Sequence, residues 1–291
     1  MNKTSLAKRA YLLNLHALSL AEGMRSGTFK SVYRGQGVEF SGVREYLHGD
    51  DVRTIDWNVT ARMGRPFIKQ FEEERELSVF LVVDASFSMD GGSGKQSRFE
   101  TAFECASLLA MAATQNNSPL GAVVFDGRIS FFCPQKTGKD HALMILSRFD
   151  HAAQNRISGS VLQTALEGVW KVLKKRTLVV VISDFRTNGW VQPLARLALH
   201  HDVLAVRITD VLDKQLPRIG TVPFADPETH FLGLLPTSSA SFAQEWREYN
   251  HMHVQRWQKD CLRHGAVPLI IGTEHDVAAE LGAFFASKEF A

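Results

Sequence analysis

Short, uninterrupted runs of apolar residues alternate with segments of helical periodicity between residue 77 and about residue 210. Runs of this length are typical of strands that are buried on both faces of a sheet. The intervening segments repeat apolar residues at three- and four-residue spacing, which predicts helices with one face on the sheet. The predicted strands are 79–83, 120–125, 128–132, 178–182 and 203–208, and the predicted helices are 98–115, 141–149, 161–173 and 191–199.

The order of these elements predicts the fold class. Asp126-Gly127, between the second and third strands, is a turn pair that favours an antiparallel hairpin. The remaining strands alternate with helices, which predicts a mostly parallel, Rossmann-like α/β sheet with right-handed crossovers and helices on both faces. Beyond Asp210 the pattern weakens. It predicts a short strand at 219–224, a hairpin or loop at 226–237, a helix at 238–264, an edge strand at 268–271 and a last helix at 277–286.

The first 75 residues differ in texture from the rest of the chain. Leucine and alanine spacing over residues 4–25 predicts an amphipathic helix that docks on the body of the protein. A helix on a membrane surface is the alternative, although basic residues cluster only at its start. Residues 26–71 are rich in glycine, charge and aromatic rings, with weak periodicity, which predicts short strands and structured loops. We therefore divide the chain into an N-terminal helix and charged extension (1–75) and an α/β domain with a helix–strand–helix tail (76–291).

Composition excludes several classes of function. The 291 residues carry a formal net charge of +2, which gives no basic footprint for nucleic acid. The longest apolar runs fall well short of the roughly 20 residues that span a bilayer, and the N-terminus lacks a secretory pattern. The three cysteines, Cys105, Cys133 and Cys261, are too widely spaced to indicate a zinc site or a disulfide framework. We expect a soluble cytoplasmic protein with no membrane span and no nucleic-acid partner.

Polar oxygens follow the first buried strand, and they are the best candidates for chemistry. Asp84, Ser86 and Ser88 come directly after residues 79–83, and ligands of open α/β sheets bind beyond the carboxyl ends of the strands. Alternate residues of an extended chain project to one side, so these three side chains can converge. Hard oxygen ligands without thiol or imidazole suit Mg²⁺. The alternative is that these residues only cap a helix or form a turn.

Two later segments supply further oxygen ligands. Ser160 lies in a loop immediately before the helix at 161–173, and Asp184 closes the buried strand at 178–182. Because parallel strands end at the same edge of a sheet, Asp184 is expected at the edge that carries Asp84.

These residues resemble the metal-ion-dependent adhesion site (MIDAS) of von Willebrand factor A domains, with its Asp-x-Ser-x-Ser segment, its Gly-Ser before a helix and its strand-closing Asp. The resemblance implies that the metal ligands are Asp84, Ser86, Ser88, Ser160 and Asp184. It also implies that the hydroxyls bind the cation directly, that the acids often act through water, and that one position remains for a partner's carboxylate. The family more often has Thr in place of Ser160. Mg²⁺ is the expected cation, with Mn²⁺ or Ca²⁺ left open.

The upstream block resembles the bacterial "domain of unknown function 58" family. The resemblance rests on Arg44-Glu45-Tyr46, Gly49-Asp50-Asp51 and Ile55-Asp56-Trp57, and it covers roughly residues 30–290. It implies a von Willebrand factor A-like fold, association with MoxR-type AAA+ ATPases and no enzymatic activity. It leaves open whether the residues of this block have a structural role or face a partner. They are Arg44, Glu45, Tyr46, Asp50, Asp51, Asp56 and Trp57.

The sequence therefore predicts a non-enzymatic adaptor in which a bound cation accepts an acidic side chain of a MoxR-type ATPase or its client. The alternative is a Mg²⁺-dependent phosphatase or phosphotransferase with Asp84 as its nucleophile. Such chemistry usually has a second acid two residues further on, where this chain has Ser86. The glycine-rich segment 91–97 is not a phosphate-binding loop, because Met89 and Gln96 stand where that motif requires Gly and Ser or Thr. We expect it to be a flexible loop beside the metal site.

Overall fold

A computed structural model describes residues 21, 24, 39–72, 77–94, 96–152, 157–225 and 232–286. The chain divides into two compact units, one of residues 30–76 and one of residues 77–291 together with residues 1–29. The predicted helix at 4–25 lies outside the described residues except for Ala21 and Met24. Both of these are helical and buried in the core of the larger unit.

The smaller unit is an antiparallel strand pair with two short helices between the strands. β1 (Glu39–Glu45) pairs with β2 (Phe67–Glu72), and a 3-10 helix (Val52–Thr54) and α1 (Trp57–Met63) lie between them in the chain. Asp56 caps α1, because its Oδ1 accepts hydrogen bonds from the first backbone N–H groups of the helix. These elements match the predicted short strands and structured loops.

The larger unit contains eight further strands in its described residues. They are β3 (Val79–Asp84), β4 (Leu120–Phe125), β5 (Ile129–Lys136), β6 (Leu178–Ser183), β7 (Asp202–Thr209), β8 (Thr221–Ala225), β9 (Leu232–Pro236) and β10 (Ala266–Gly272). Six of them form the main sheet in the order β10-β7-β6-β3-β4-β5, in which β5 alone is antiparallel, and β8 pairs with β9. The predicted hairpin and the predicted edge strand are both confirmed.

Helices cover both faces of the main sheet. They are α2 (Arg98–Gln115), α3 (Lys139–Ala152), α4 (Leu162–Val172), α5 (Val191–Ala198), α6 (Val211–Lys214), α7 (Ala240–Arg263) and α8 (Val277–Ala286). In the part of the chain that the structure describes, no helix is long and apolar enough to cross a membrane.

The core is two apolar layers separated by the sheet. In β3, Val79, Leu81 and Val83 point into the layer that α2, α3 and α8 cover, whereas Phe80 and Val82 point into the layer of α4, α5 and α7. Every residue of β3, β4 and β6 is buried, as expected for strands that carry uninterrupted apolar runs. The predicted class, a mostly parallel α/β sheet with helices on both faces, is confirmed.

The cysteines belong to this core. Cys105, Cys133 and Cys261 are buried and form no disulfide. Burial raises the pKa of the Cys105 thiol, and it raises the pKa of Cys261 to about 12, so both stay protonated at neutral pH. The prediction that Cys105 is buried in an apolar helix is confirmed.

Candidate metal centre

The candidate centre lies where the strand order of the sheet reverses. After β3 the chain adds β4 on one side, and it later returns to add β6 on the other side. The crevice beyond the carboxyl ends of β3 and β6 is therefore the position at which open α/β sheets bind ligands. Asp84 is the last residue of β3, and Asp184 directly follows β6. The topology thus brings both predicted acids to one edge.

Asp84 is fixed by the ends of two adjacent strands. Its carboxylate is buried, with Oδ1 accepting a hydrogen bond from the Ser86 backbone N–H (2.9 Å). Its Oδ2 accepts a hydrogen bond from the Ser183 hydroxyl at 2.6 Å, and that hydroxyl in turn accepts one from the Phe185 N–H. Both oxygens of Asp84 are therefore engaged by protein donors. The sequence reasoning did not single out Ser183, although its place beside Asp184 at a strand end was a usable signal.

Ser86 and Ser88 present paired hydroxyls next to this carboxylate. Their Oγ atoms lie 3.1 Å apart. Ser86 occupies the N-cap position of the 3-10 helix Phe87–Asp90, but its side chain makes no capping hydrogen bond. The capping alternative therefore does not account for the Ser86 hydroxyl. The turn alternative does describe part of the segment, because the Asp84 carboxylate accepts a hydrogen bond from the backbone N–H of Ser86, two residues further along the chain.

Asp184 keeps one oxygen free of hydrogen bonds. Its Oδ1 accepts from the Arg186 backbone N–H at 3.1 Å. Its Oδ2 is buried and has no hydrogen-bond partner in the described structure, and the Arg186 Nε lies 3.8 Å from it. An unsatisfied buried oxygen of this kind costs about 1–3 kcal/mol, which a bound ligand can recover.

The backbone next to Asp184 is strained. Phe185 has a φ of 53°, in the left-handed region that residues with a Cβ rarely adopt. Its buried ring packs on Trp190 and Trp257, with ring centroids 5.2 and 5.4 Å away, and this packing holds the unusual conformation. Strain of this kind concentrates at functional sites. Because Phe185 lies between Asp184 and Arg186, its backbone conformation sets the directions in which those two side chains project.

Ser160 is held at the same edge by the turn between β4 and β5. The Val161 N–H donates to the Asp126 carbonyl (2.9 Å), and the Ile157 N–H donates to the Asp126 carboxylate (3.2 Å). The Gly127 N–H donates to the Ile157 carbonyl, and a Cβ at Gly127 would collide with the Ser158 carbonyl oxygen. Asp126-Gly127, read in the sequence only as a hairpin turn, thus also anchors the loop that carries Ser160. The Ser160 Oγ is buried and has no hydrogen-bond partner among the described residues.

Two buried carboxylates at one edge disfavour each other's charge. Burial and, after it, the negative charge of Asp184 raise the pKa of Asp84 to about 7, although the hydrogen bonds from Ser183 and Ser86 act in the opposite direction. A divalent cation would relieve the repulsion and provide a partner for the free oxygens. The donor set is carboxylate and hydroxyl oxygen, which fits Mg²⁺. The described segments hold no group of three or more His, Cys, Asp or Glu side chains that could bind a metal, so a cation here would depend on the serines.

Three arginines lie close to the candidate ligands, and the sequence did not predict them. Asp213, on α6, accepts hydrogen bonds from Arg186 (2.6 Å) and Arg98 (2.7 Å). Arg98 also donates to the Ser88 carbonyl at 3.3 Å, which links this network to the candidate ligands. Arg207 is buried against Trp257, and burial lowers its pKa to about 10. These positions are far apart in the chain, so no local motif marks them.

Asp210 ties the glycine-rich segment to the sheet. Its carboxylate accepts hydrogen bonds from the N–H and the hydroxyl of Ser93, from the Leu212 N–H and from the Thr273 hydroxyl, at 2.7 to 2.9 Å. Burial alone would raise the pKa of Asp210, but these donors outweigh it and hold the pKa at about 2. The segment predicted to be a flexible loop is thus fixed at Ser93, whereas Lys95 lies outside the described residues.

The acids of the upstream block serve the structure of the smaller unit. Arg44 pairs with Asp50 through two hydrogen bonds of 2.7 and 2.8 Å, and Asp50 also accepts from the Leu47 N–H. Asp51 and Asp56 cap the two short helices, and Glu45 lies 3.4 Å from Arg65. Tyr46 is half-buried, whereas Trp57 is 70% exposed. Of the seven residues, Trp57 has the most solvent-exposed apolar surface.

Comparison with known proteins places the chain in a family. The profile described as "Protein of unknown function DUF58" matches residues 42–256. The uncharacterized protein Rv1480 of Mycobacterium tuberculosis is 30% identical over 289 residues, which cover 97% of this chain and 90% of the relative. Among solved structures, an aerotolerance-related membrane protein from Bacteroides fragilis is 15% identical (TM-score 0.46; 71% of this chain and 96% of that one). The SpRpn10 VWA domain is 12% identical (TM-score 0.36; 71% and 94%).

Proposed function

The chain belongs to the DUF58 family, and from that premise and the geometry of the site we propose that it is a metal-dependent protein-interaction adaptor without enzymatic activity. Asp84, Ser86, Ser88, Ser160 and Asp184 would hold a divalent cation, with Mg²⁺ favoured by the oxygen donors. When bound, the cation would supply a Lewis-acidic point at which an acidic side chain of a partner docks.

One observation carries the proposal. Ser160 and Asp184 each have a buried side-chain oxygen without a hydrogen-bond partner in the described structure, at the edge that also holds Asp84. Proteins rarely leave such atoms unsatisfied, because each costs about 1–3 kcal/mol. The two oxygens come from different loops, which separate anchors bring to this edge. A site that brings together two carboxylates and oxygens without hydrogen-bond partners in this way is suited to a cation.

The engagement of Asp84 argues for an adaptor over a phosphotransferase. A nucleophilic carboxylate needs an oxygen that can reach its substrate, whereas both oxygens of Asp84 accept hydrogen bonds and the residue is 1% exposed. The position two residues on, where an acid would protonate a leaving group, holds Ser86. Mg²⁺-dependent turnover of a generic phosphomonoester that Asp84→Asn abolishes would overturn the adaptor proposal.

The partner class comes from the family resemblance. Members of this family are typically associated with MoxR-type AAA+ ATPases, and we propose such an ATPase, or its client, as the source of the docking acid. A cytoplasmic location is part of the same proposal.

The proposal predicts that capture of the ATPase depends on the cation. Tagged full-length protein should recover a MoxR-type ATPase from its native cells in Mg²⁺, and EDTA should reduce the recovery at least about tenfold. Ser160→Ala should have the same effect, because it removes one of the unpaired oxygens. Ser107→Ala is the matched control, since the Ser107 hydroxyl bonds within α2, to the Phe103 carbonyl. Unchanged recovery in EDTA, measured by quantitative mass spectrometry, would contradict the proposal.

A further inference from the structure

Arg186 stands at the rim of the candidate centre, and we infer that it selects the partner by binding a second carboxylate. The partner would then present two acidic side chains, one to the cation and one to the Arg186 guanidinium. This inference rests on the proposed function, because the first acid requires the metal. Arg186 would thus determine partner specificity without being one of the proposed metal ligands.

Solvent accessibility distinguishes Arg186 from Arg98 and Arg207, the other two arginines close to the candidate ligands. The side chain of Arg98 is 9% exposed, and Arg207 is 5% exposed, so a partner's side chain cannot reach either. The Arg186 side chain is 40% exposed. It is thus the one arginine of this group that can contact both the site and a docked protein.

Arg186 is also pre-ordered. Its backbone N–H donates to Asp184 Oδ1 (3.1 Å), one terminal nitrogen of its guanidinium lies 2.6 Å from Asp213, and its Nε lies 3.8 Å from Asp184 Oδ2. The strained backbone of Phe185 fixes the direction of the residue. A side chain held in this way loses little conformational entropy on binding. The guanidinium also keeps N–H groups for a planar carboxylate, which Arg recognises in a two-point geometry.

The charges of the site favour a partner with two acids. Asp213 shares its single negative charge between Arg98 and Arg186, so neither guanidinium is fully neutralised. A cation held by Asp84 and Asp184 would add two positive charges and occupy the carboxylate that lies nearest to the Arg186 Nε. The face would then offer two positive points, the cation and Arg186. A partner with one acid would satisfy only one of them.

The test compares two peptides on the full-length protein loaded with Mn²⁺. One peptide carries two glutamates separated by a glycine, and the other has one of them replaced by glutamine. The wild-type protein should bind the two-acid peptide at least about tenfold more tightly, because a charge-assisted hydrogen bond of ordinary strength corresponds to a factor of that size. Arg186→Gln should abolish this difference, leave one-acid binding within about twofold and still allow Mn²⁺ to bind. Arg186→Lys should retain part of the preference, since it keeps the charge but not the planar group.

Arg176→Gln is the matched control. Arg176 has nearly the same side-chain exposure as Arg186, 41% against 40%, and pairs with Asp202 at 2.6 Å, but it lies at the amino ends of β6 and β7, on the opposite edge of the sheet. It should change neither peptide affinity. If Arg186→Gln weakens both peptides equally, or keeps the two-acid preference, while Mn²⁺ still binds, the role of Arg186 is wrong and the metal site stands. If the wild-type protein binds no Mn²⁺, both the proposed function and this inference fail.

Discussion

Asp84 alone is expected to lower the free energy of unfolding of the metal-free protein by about 4 kcal/mol as the pH rises from 4 to 7. The pKa of Asp84 is raised from 3.8 to about 7 in the folded chain, by burial and then by the charge of Asp184. Between these two values the folded state binds a proton that the unfolded state has released. Stability from this group is therefore complete below pH 4, falls through the window and is constant above about pH 7. Urea unfolding in EDTA at a series of pH values measures the slope.

Asp84→Asn isolates the contribution of this carboxyl group. The variant has no proton to release at residue 84, so the difference between its stability and that of the wild type should change by about 4 kcal/mol across the same pH window. In the wild type, saturating Mg²⁺ should flatten the slope, because the cation favours the charged carboxylates. A wild-type slope equal to that of Asp84→Asn would show that the pKa of Asp84 is not raised in the folded protein.

Asp210→Ala should destabilise the fold by about 3 kcal/mol, because it removes the shared acceptor of four hydrogen bonds, one of which, from the Thr273 hydroxyl, is buried. The donors come from the glycine-rich segment (Ser93), from the start of α6 (Leu212) and from the chain after β10 (Thr273). The change should also release Ser93, whose amide should exchange with solvent hydrogen much faster. Urea unfolding measures the first effect, and hydrogen exchange of residues 91–94 measures the second.

The matched control is Asp276→Ala. Asp276 accepts hydrogen bonds from the Ala278 and Ala279 N–H groups at the start of α8, but these bonds are exposed to solvent. Its loss should cost about 1 kcal/mol, the ordinary value for a helix cap. Equal effects of the two substitutions would mean that Asp210 is only a cap of α6. Because the pKa of Asp210 is about 2 in the folded protein, the stabilisation that this carboxylate provides should persist above pH 4 and decline only as the pH falls toward 2.

The sequence predicted the sheet well because its strands are buried on both sides. β3 and β6 appear as uninterrupted apolar runs, and each run ends in an acid and a hydroxyl at the sheet edge. The same signals predicted Asp84 and Asp184 at one edge, since strands of a parallel sheet end together. The order and direction of the strands were therefore enough to place the two acids together, without knowledge of the side-chain conformations.

The sequence could not predict the contacts that link distant segments. Arg98 and Arg186 meet at Asp213 only because α2, the loop after β6 and α6 converge on one corner of the sheet. Three of the four hydrogen bonds of Asp210 join it to residues more than 60 positions away, Ser93 and Thr273. Such pairs depend on the final packing, so neither periodicity nor local spacing marks them. The anchoring role of Asp126 was hidden for the same reason.

Titration of Mg²⁺ into the full-length protein at pH 8, followed by calorimetry, tests the central claim most directly. The account predicts saturable binding at a single site in the wild type. It also predicts that Ser160→Ala weakens this binding at least about tenfold and that Asp184→Ala abolishes it, because each removes an oxygen that has no hydrogen-bond partner in the described structure. Absence of Mg²⁺ binding in the wild type, or binding that Asp184→Ala leaves unchanged, would contradict a metal centre at this edge of the sheet.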